Sequence, residues 1–158
     1  MQVLFMMIFL TVGLHEQPFD RIVKLVDEIN NYETFIQYGY SNYIPKNPEA
    51  NQFLKFEEIK RLMLKADVVI THGGTGSLML ALSLGKKPIV APRYKKFNEH
   101  VDDHQHEIVN KIAEKKLIIP FYENMNLYDL IKNYDSTNRT NLKKNIRSID
   151  RTILKCLQ

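Results

Sequence analysis

Val68-Val69-Ile70-Thr71-His72-Gly73-Gly74-Thr75-Gly76-Ser77 decides the fold. A β-branched apolar run stops at a glycine turn, and an apolar-periodic segment, Leu78 to Leu84, follows. The spacing predicts a strand over Asp67 to Thr71 and a helix over Gly76 to Leu84, closed by Gly85 as its C′ residue. Glycines in such a turn let backbone N–H groups come close to an anion at the positive end of the helix, and phosphate is the usual anion. The turn lacks the Gly-Lys-Ser/Thr ending of a P-loop. It also lacks the full dinucleotide fingerprint and its acidic partner. Alone it reads equally as a phosphate cradle or as a bare βα turn that needs glycine for its backbone. His72 and Ser77 add polar groups on either side.

Outward from this turn, strand and helix signals alternate. Val3 to Val12 predicts a buried strand, broken by Gly13. Pro18 opens a helix over Phe19 to Asn30, with Ile22, Val23, Val26 and Ile29 on one face. Thr34 to Tyr38 predicts a second strand. Tyr40 to Gln52, holding Pro45 and Pro48, predicts a loop. Phe56 to Lys65 predicts a helix, Pro88 to Ala91 a strand and Pro92 to Val101 a basic loop. Asp102 to Lys115 predicts a helix, Leu117 to Pro120 a strand and Leu127 to Asn133 a short helix. Residues 137–158 form an amphipathic segment with Leu142, Ile146, Ile149 and Ile153 on one face. That face either closes the domain's own sheet or docks a partner. Repeated βα units with continuously apolar strands imply an α/β fold, a Rossmann-like parallel sheet with helices on both faces. Ligands of such sheets bind at the carboxyl ends of the strands. Gly13, Gly73 and the loop after Ala91 all sit there.

The 158 residues suffice for one domain, 1–158, but not comfortably for two. A net charge of +4 suits an anionic substrate or a membrane-surface partner, and falls short of the clustered density of a nucleic-acid binder. Cys156 is the only cysteine, which excludes an intrachain disulfide and a cysteine-based metal site and fits a reducing compartment. Val3 to Val12 is about half the length of a bilayer span. It has neither a basic flank nor a small-residue cleavage site, so a core strand is expected rather than a signal peptide. His100, His104 and His106 do not have the spacing of a zinc motif, and no metal site is expected.

Four separated motifs then occur in order. His72-Gly73-Gly74-Thr75-Gly76-Ser77 is followed by Ala81-Leu82-Ser83-Leu84-Gly85-Lys86-Lys87-Pro88, by Val90-x-Pro92-Arg93, and by Asp103-His104-Gln105. Together they resemble the carboxyl-terminal domain of glycosyltransferase family 28. The opening, Phe9 to Asp20, resembles that of short single-domain members. Those include the catalytic subunit that adds the second GlcNAc to the dolichol-linked precursor, and bacterial subunits of capsule and exopolysaccharide synthesis. The resemblance covers nearly the whole chain.

The resemblance implies the carboxyl-terminal half of a GT-B glycosyltransferase, a hexosyltransferase subunit that binds a UDP-sugar and needs no cofactor beyond that donor. The acceptor half would be a separate, membrane-anchored glycosyltransferase subunit, and the acceptor a lipid-linked saccharide. The chain would be cytoplasmic, recruited by its partner to the inner face of the membrane. Gly13 to Gln17 matches the first donor loop beside the diphosphate. There His15 and Gln17 either contact phosphate or donor sugar, or cap the following helix. His15 is the local candidate for a general base, a role the resemblance assigns to the partner half. Phe56 matches the residue that covers uracil, or is a helix-entry phenylalanine. Gly73, Gly74, Thr75 and Gly76, with His72 and Ser77, match the diphosphate turn, and Arg93 is placed to offset diphosphate charge. Lys95 and Lys96 are a solvated loop face or face anionic lipid. His104 and Gln105 match the segment that grips donor-sugar hydroxyls, or belong to a capped helix start.

Two departures stand out. Leu14 occupies a position where many relatives carry a small hydroxyl residue. Leu80 occupies the position of a ribose-binding glutamate, so that contact is missing or supplied from elsewhere. The leading expectation is therefore an inverting UDP-sugar transferase subunit that extends a polyprenyl-diphosphate-linked saccharide. The second is a non-catalytic accessory subunit that enhances a partner transferase, with Leu14 and Leu80 marking a degenerate site. A dinucleotide-dependent oxidoreductase is disfavoured by the absent fingerprint.

Overall fold

The apolar runs assemble into one parallel sheet because each is buried on both faces, a burial that only helices on either side can complete. The computed structural model describes residues 6–134 and Arg151. The elements are β1 (Met7–Thr11), α1 (Asp20–Asp27), β2 (Glu33–Gln37), β3 (Ala50–Asn51), α2 (Phe56–Lys65), β4 (Val68–His72) and α3 (Thr75–Ser83). They continue with β5 (Ile89–Ala91), a 3₁₀ turn (Lys95–Phe97), α4 (His104–Glu114), β6 (Ile119–Pro120) and α5 (Leu127–Lys132). The strand order is β3-β2-β1-β4-β5-β6, every pairing parallel.

Alternate residues of each strand feed opposite cores. Ile8, Leu10, Ile36, Val68, Ile70, Ile89 and Ala91 pack against α1 and α5 through Phe19, Ile22, Val23, Val26, Leu127 and Ile131. On the other face Met7, Phe9 and Val69 meet Leu62, Met63 and Ala81 of α2 and α3. Val90 meets Leu78 and Leu82 of α3 and Ile108, Val109 and Ile112 of α4. Helix α3 ends in a Schellman motif at Gly85, whose φ is +73°. Lys86 N–H donates to Ala81 O and Gly85 N–H to Leu82 O. The buried Lys86 ammonium then donates to the carbonyls of Leu64 and Ala66, which ties the end of α2 to the end of α3.

Three sequence expectations need correction. The Tyr40–Gln52 loop contains an edge strand, Ala50–Asn51, paired with Ile36 and Gln37. The Pro92–Val101 loop contains a 3₁₀ turn. The helix expected to reach Asn30 stops at Asp27, where Glu28 caps it and Ile29 N–H turns back to Val26 O. The helix Phe56–Lys65 has the expected bounds. Residues 1–5 and the amphipathic 137–158 segment, apart from Arg151, lie outside the described residues.

Candidate functional site

The chain leaves β1 toward α1 on one face of the sheet and leaves β4 toward α3 on the other. The crevice between these two departures is the topological switch point, where ligands of such sheets bind. A cleft of about 430 Å³ opens there. Its floor is Thr11, Gly13, Gln37, His72, Gly74, Gly76 and Ser77, and its wall is Leu14, Leu54, Phe56, Ile59 and Leu80.

The floor is held by three buried polar side chains. Gln37, opposite Thr11 in the sheet register, accepts from the Thr11 hydroxyl at 2.6 Å and from the N–H groups of Val12 (3.2 Å) and Gly13 (3.3 Å). Its amide nitrogen donates to Gly13 O and Gln52 O. Gln37 thereby fixes how the β1–α1 loop departs. Gly13 has φ +74°, and a Cβ there would lie 2.4 Å from His72 Nε2, so only glycine fits.

His72 ends β4 and is buried. Burial first, then the Arg93 charge, pushes its pKa down to about 3, so the ring is neutral. Its Nδ1 accepts from Gly74 N–H at 3.1 Å, which leaves the proton on Nε2. Nε2 lies 3.3 Å from Ser77 Oγ and donates to it. The Ser77 proton is then free to point into the cleft. A relay thus runs from Gly74 N–H through the imidazole to a hydroxyl aimed as a donor.

Gln105, on α4, accepts through Oε1 from Gly73 N–H (3.1 Å) and Arg93 N–H (3.2 Å), and its amide nitrogen lies 3.3 Å from His72 Nδ1. The amides of Gly73 and Gly74 are therefore spent inside the protein. The groups left for an anion are the amides of Thr75, Gly76 and Ser77 in the first turn of α3, which have no intrahelical acceptor. Gly76 differs from its neighbours. A Cβ on Gly74 would meet His72 Cε1 at 2.0 Å, whereas a Cβ on Gly76 meets nothing within 4 Å. Packing does not demand glycine at position 76, and the space it leaves lies in the cleft.

Arg93 is buried behind the floor rather than in the cleft lining. Its Nη1 donates to Gln17 O (2.8 Å) and Glu99 O (3.1 Å), its Nη2 to Val12 O (2.8 Å), and its guanidinium sits 4.7 Å over the Phe19 ring. Burial lowers its pKa to about 10, still charged at neutral pH. Arg93 shapes the β1–α1 loop from behind and contributes positive potential there. Arg21 and Glu99, unmarked in the sequence, brace it. Arg21 makes a bidentate pair with the buried Glu99 carboxylate (2.9 and 3.1 Å), which also accepts from Tyr94 N–H.

His15 lies outside the cleft lining. Its Nδ1 accepts from Gln17 N–H within the loop, and its ring lies 4.5 Å from that of His100. Burial, Arg93 and His100, in that order, lower its pKa. The neutral ring carries its proton on Nε2, an arrangement suited to donating to an anion rather than to abstracting a proton. Neither His15 nor Gln17 caps α1, whose N-cap is Phe19, with the Phe19 N–H bound to Ser41 Oγ. Gln17 donates to Asn98 O, and its Oε1 is buried without a protein partner. His104 is largely exposed at the start of α4. Asp102 accepts from His104 N–H, while Asp103 accepts from Lys95 N–H. Lys96 pairs with Glu123.

The cleft brings together Gly13, Phe56, His72, Gly74, Gly76 and Ser77 of the sequence-predicted residues. Thr11, Gln37, Leu54 and Ile59 also line it and were not read from the sequence. A glutamine ending a core strand was the one signal available for Gln37. Phe56, the first residue of α2, is 59% exposed and offers a ring face at the cleft edge.

The chain matches the model of the glycosyltransferase family 28 C-terminal domain over residues 7–153. It is 27% identical over 130 residues to the UDP-N-acetylglucosamine transferase subunit ALG13 of Yarrowia lipolytica, covering 72% of this chain and 64% of that protein. It is 34% identical over 109 residues to the subunit of the same name from Debaryomyces hansenii, covering 69% and 50%. The chain thus spans between half and two-thirds of the length of these curated relatives. Among solved structures, the glycosyltransferase SnogD from Streptomyces nogalater superposes with a TM-score of 0.61 at 17% identity, over 98% of this chain and 40% of that one. The glycotransferase of kitacinnamycin gives 0.62 at 15%, over 96% and 41%. The solution structure of ALG13 gives 0.51 at 20%, over 73% and 78%. The fold is that of the carboxyl-terminal half of GT-B glycosyltransferases.

Proposed function

The chain belongs to the glycosyltransferase family 28 C-terminal domain family, and from that premise we propose that it is the UDP-sugar-binding subunit of a two-part inverting glycosyltransferase. With a membrane-anchored acceptor-binding subunit it would extend a polyprenyl-diphosphate-linked saccharide in polysaccharide biosynthesis. The observation that carries this reading is the cleft at the switch point, where the first turn of α3, the Ser77 hydroxyl and the space over Gly76 converge. The relatives named above, subunits of a UDP-N-acetylglucosamine transferase, support the same donor class.

In this reading the diphosphate lies on the amides of Thr75 to Ser77 and the uracil ring lies against Phe56. The acceptor hydroxyl attacks the anomeric carbon from the face opposite UDP. The bond from that carbon to the β-phosphate oxygen breaks, and the hydroxyl proton passes to a base on the acceptor-side subunit. The amides, the helix dipole and Ser77 meet the charge that develops on the leaving diphosphate. These dipoles are already held in place by His72 and Gln105, so they need no reorganisation when the bond breaks. No helix among the described residues is long and apolar enough to cross a membrane. In this reading the membrane-anchored partner holds the pair at the cytoplasmic face of the membrane.

A second reading, an accessory subunit with a degenerate donor site, is favoured by Leu14 and Leu80 in the cleft wall. Calorimetric titration of the full chain with UDP, followed by a UDP-sugar panel assayed with its membrane subunit, decides between them. His72→Ala and Gln105→Ala should each depress transfer by the pair. Undiminished transfer by both variants would leave only the accessory reading.

A further inference from the structure

The cleft wall has one chemical character from end to end, and it bears on which nucleotides the donor site distinguishes. If the diphosphate occupies the first turn of α3 and the base lies on Phe56 at the start of α2, the pentose must cross between the two helices. Leu80 follows Gly76 and Ser77 by one helical turn on the same side of α3. Ile59 follows Phe56 by the same step on α2. The pentose therefore meets the side chains of Leu80, Ile59 and Leu54, which neither accept nor donate a hydrogen bond.

The polar groups of the floor do not fill the gap. Gln37 has its carbonyl oxygen in three hydrogen bonds and its amide nitrogen in two. His72 is bound at both ring nitrogens. The Thr11 proton is given to Gln37, and Ser77 lies at the diphosphate end. A 2′-hydroxyl on the pentose finds no side-chain partner on the wall among the described residues and stays solvated.

Resting on the UDP-sugar reading above, we propose that this donor site does not read the 2′-hydroxyl. It would accept 2′-deoxynucleoside diphosphates as well as ribonucleoside diphosphates, with Leu80 as the specificity-determining residue. A site built to bind a substrate hydroxyl rejects the analogue that lacks it, because its own polar groups are then left unpaired. An apolar wall has no such groups to leave unpaired.

The test is a titration of the full chain with UDP and with dUDP under one set of conditions. The two affinities should agree within about threefold, since at most a weak solvated contact separates them. Leu80→Glu, or Leu80→Gln where the added charge repels the diphosphate, should then favour UDP over dUDP by about tenfold. Thermal melting of each variant checks that it is folded. A wild-type preference for UDP of about tenfold or more overturns the inference. So does a ratio unmoved by both folded variants. Binding of neither nucleotide overturns the donor-site reading itself, and the inference with it.

Discussion

The floor and the wall of the cleft are built on opposite principles. On and behind the floor, buried polar side chains bind the protein itself: Gln37, Gln105 and Arg93 hold backbone groups of distant segments, and His72 holds Gly74 N–H and Ser77 of its own turn. On the wall, Leu14, Leu54, Phe56, Ile59 and Leu80 present apolar side chains, and Leu14 and Phe56 are 71% and 59% exposed. The difference separates two tasks. Buried polar groups are costly unless satisfied, so the floor is rigid and its damage is paid in stability. The wall contributes area and shape, so changes there fall on the ligand. Removing one of these buried polar side chains without loss of stability would break this division.

Arg93→Ala is the hardest such trial. It strips donors from the carbonyls of Val12, Gln17 and Glu99 and removes the stack on Phe19. The expected loss is about 3–5 kcal/mol of unfolding free energy, read as a lower urea midpoint. Arg93→Lys should recover little, because an ammonium lacks the planar fork that reaches three carbonyls. A loss within about 1 kcal/mol would mean that the loop does not depend on its buried brace.

His72 supplies the next effect, and its sign follows from its pKa. The folded value is about 3, against an ordinary 6.5. Below 6.5 the unfolded chain takes up a proton that the folded chain refuses. Stability is therefore intact above 6.5 and falls as the pH drops through 6.5 toward 3. From about pH 7 to pH 4.5 this one group should cost about 2–3 kcal/mol. His72→Asn, which cannot titrate, should flatten the dependence by that amount. Equal slopes for the two proteins would show that the ring is not held neutral.

Much of this architecture was legible in the sequence, for reasons that also explain what was not. Strands buried on both faces read as apolar runs, as β1, β4 and β5 do, while β2 is legible by its β-branched and aromatic residues. Gly85 could be placed because a left-handed C′ residue leaves a local signature. β3 could not, because two residues between Pro48 and Phe53 carry no period, and their pairing comes only from β2. The site divides in the same way. The glycine turn announces itself locally, whereas Phe56 and Leu80 stand out only beside the family's pattern. The partners of Arg93 and Gln105 show in neither way: Gln105 holds an amide 32 residues away, and Arg93 a carbonyl 81 residues away. The family resemblance singled these residues out. Only the folded chain shows that they act from behind the cleft by fixing its shape.

The finest division runs between two glycines of one turn. Gly74→Ala forces its Cβ to 2.0 Å from His72 Cε1, so the imidazole must move and the relay to Ser77 is lost. A cost of about 1–3 kcal/mol is expected, as for other overpacked sites. Gly76→Ala meets nothing within 4 Å and replaces glycine inside a helix. It should stabilise the fold by roughly 0.5 kcal/mol, with a small rise in melting temperature. The same methyl group fills the space above the first turn of α3, where the diphosphate would approach the backbone. Affinity for UDP should therefore fall while stability rises, and only a position emptied for a ligand gives those opposite signs. If Gly76→Ala is stabilising and binds UDP unchanged, the space over Gly76 is not where the diphosphate lies. The anion must then be met by the β1–α1 loop instead, where His15 Nε2–H is the donor to try next.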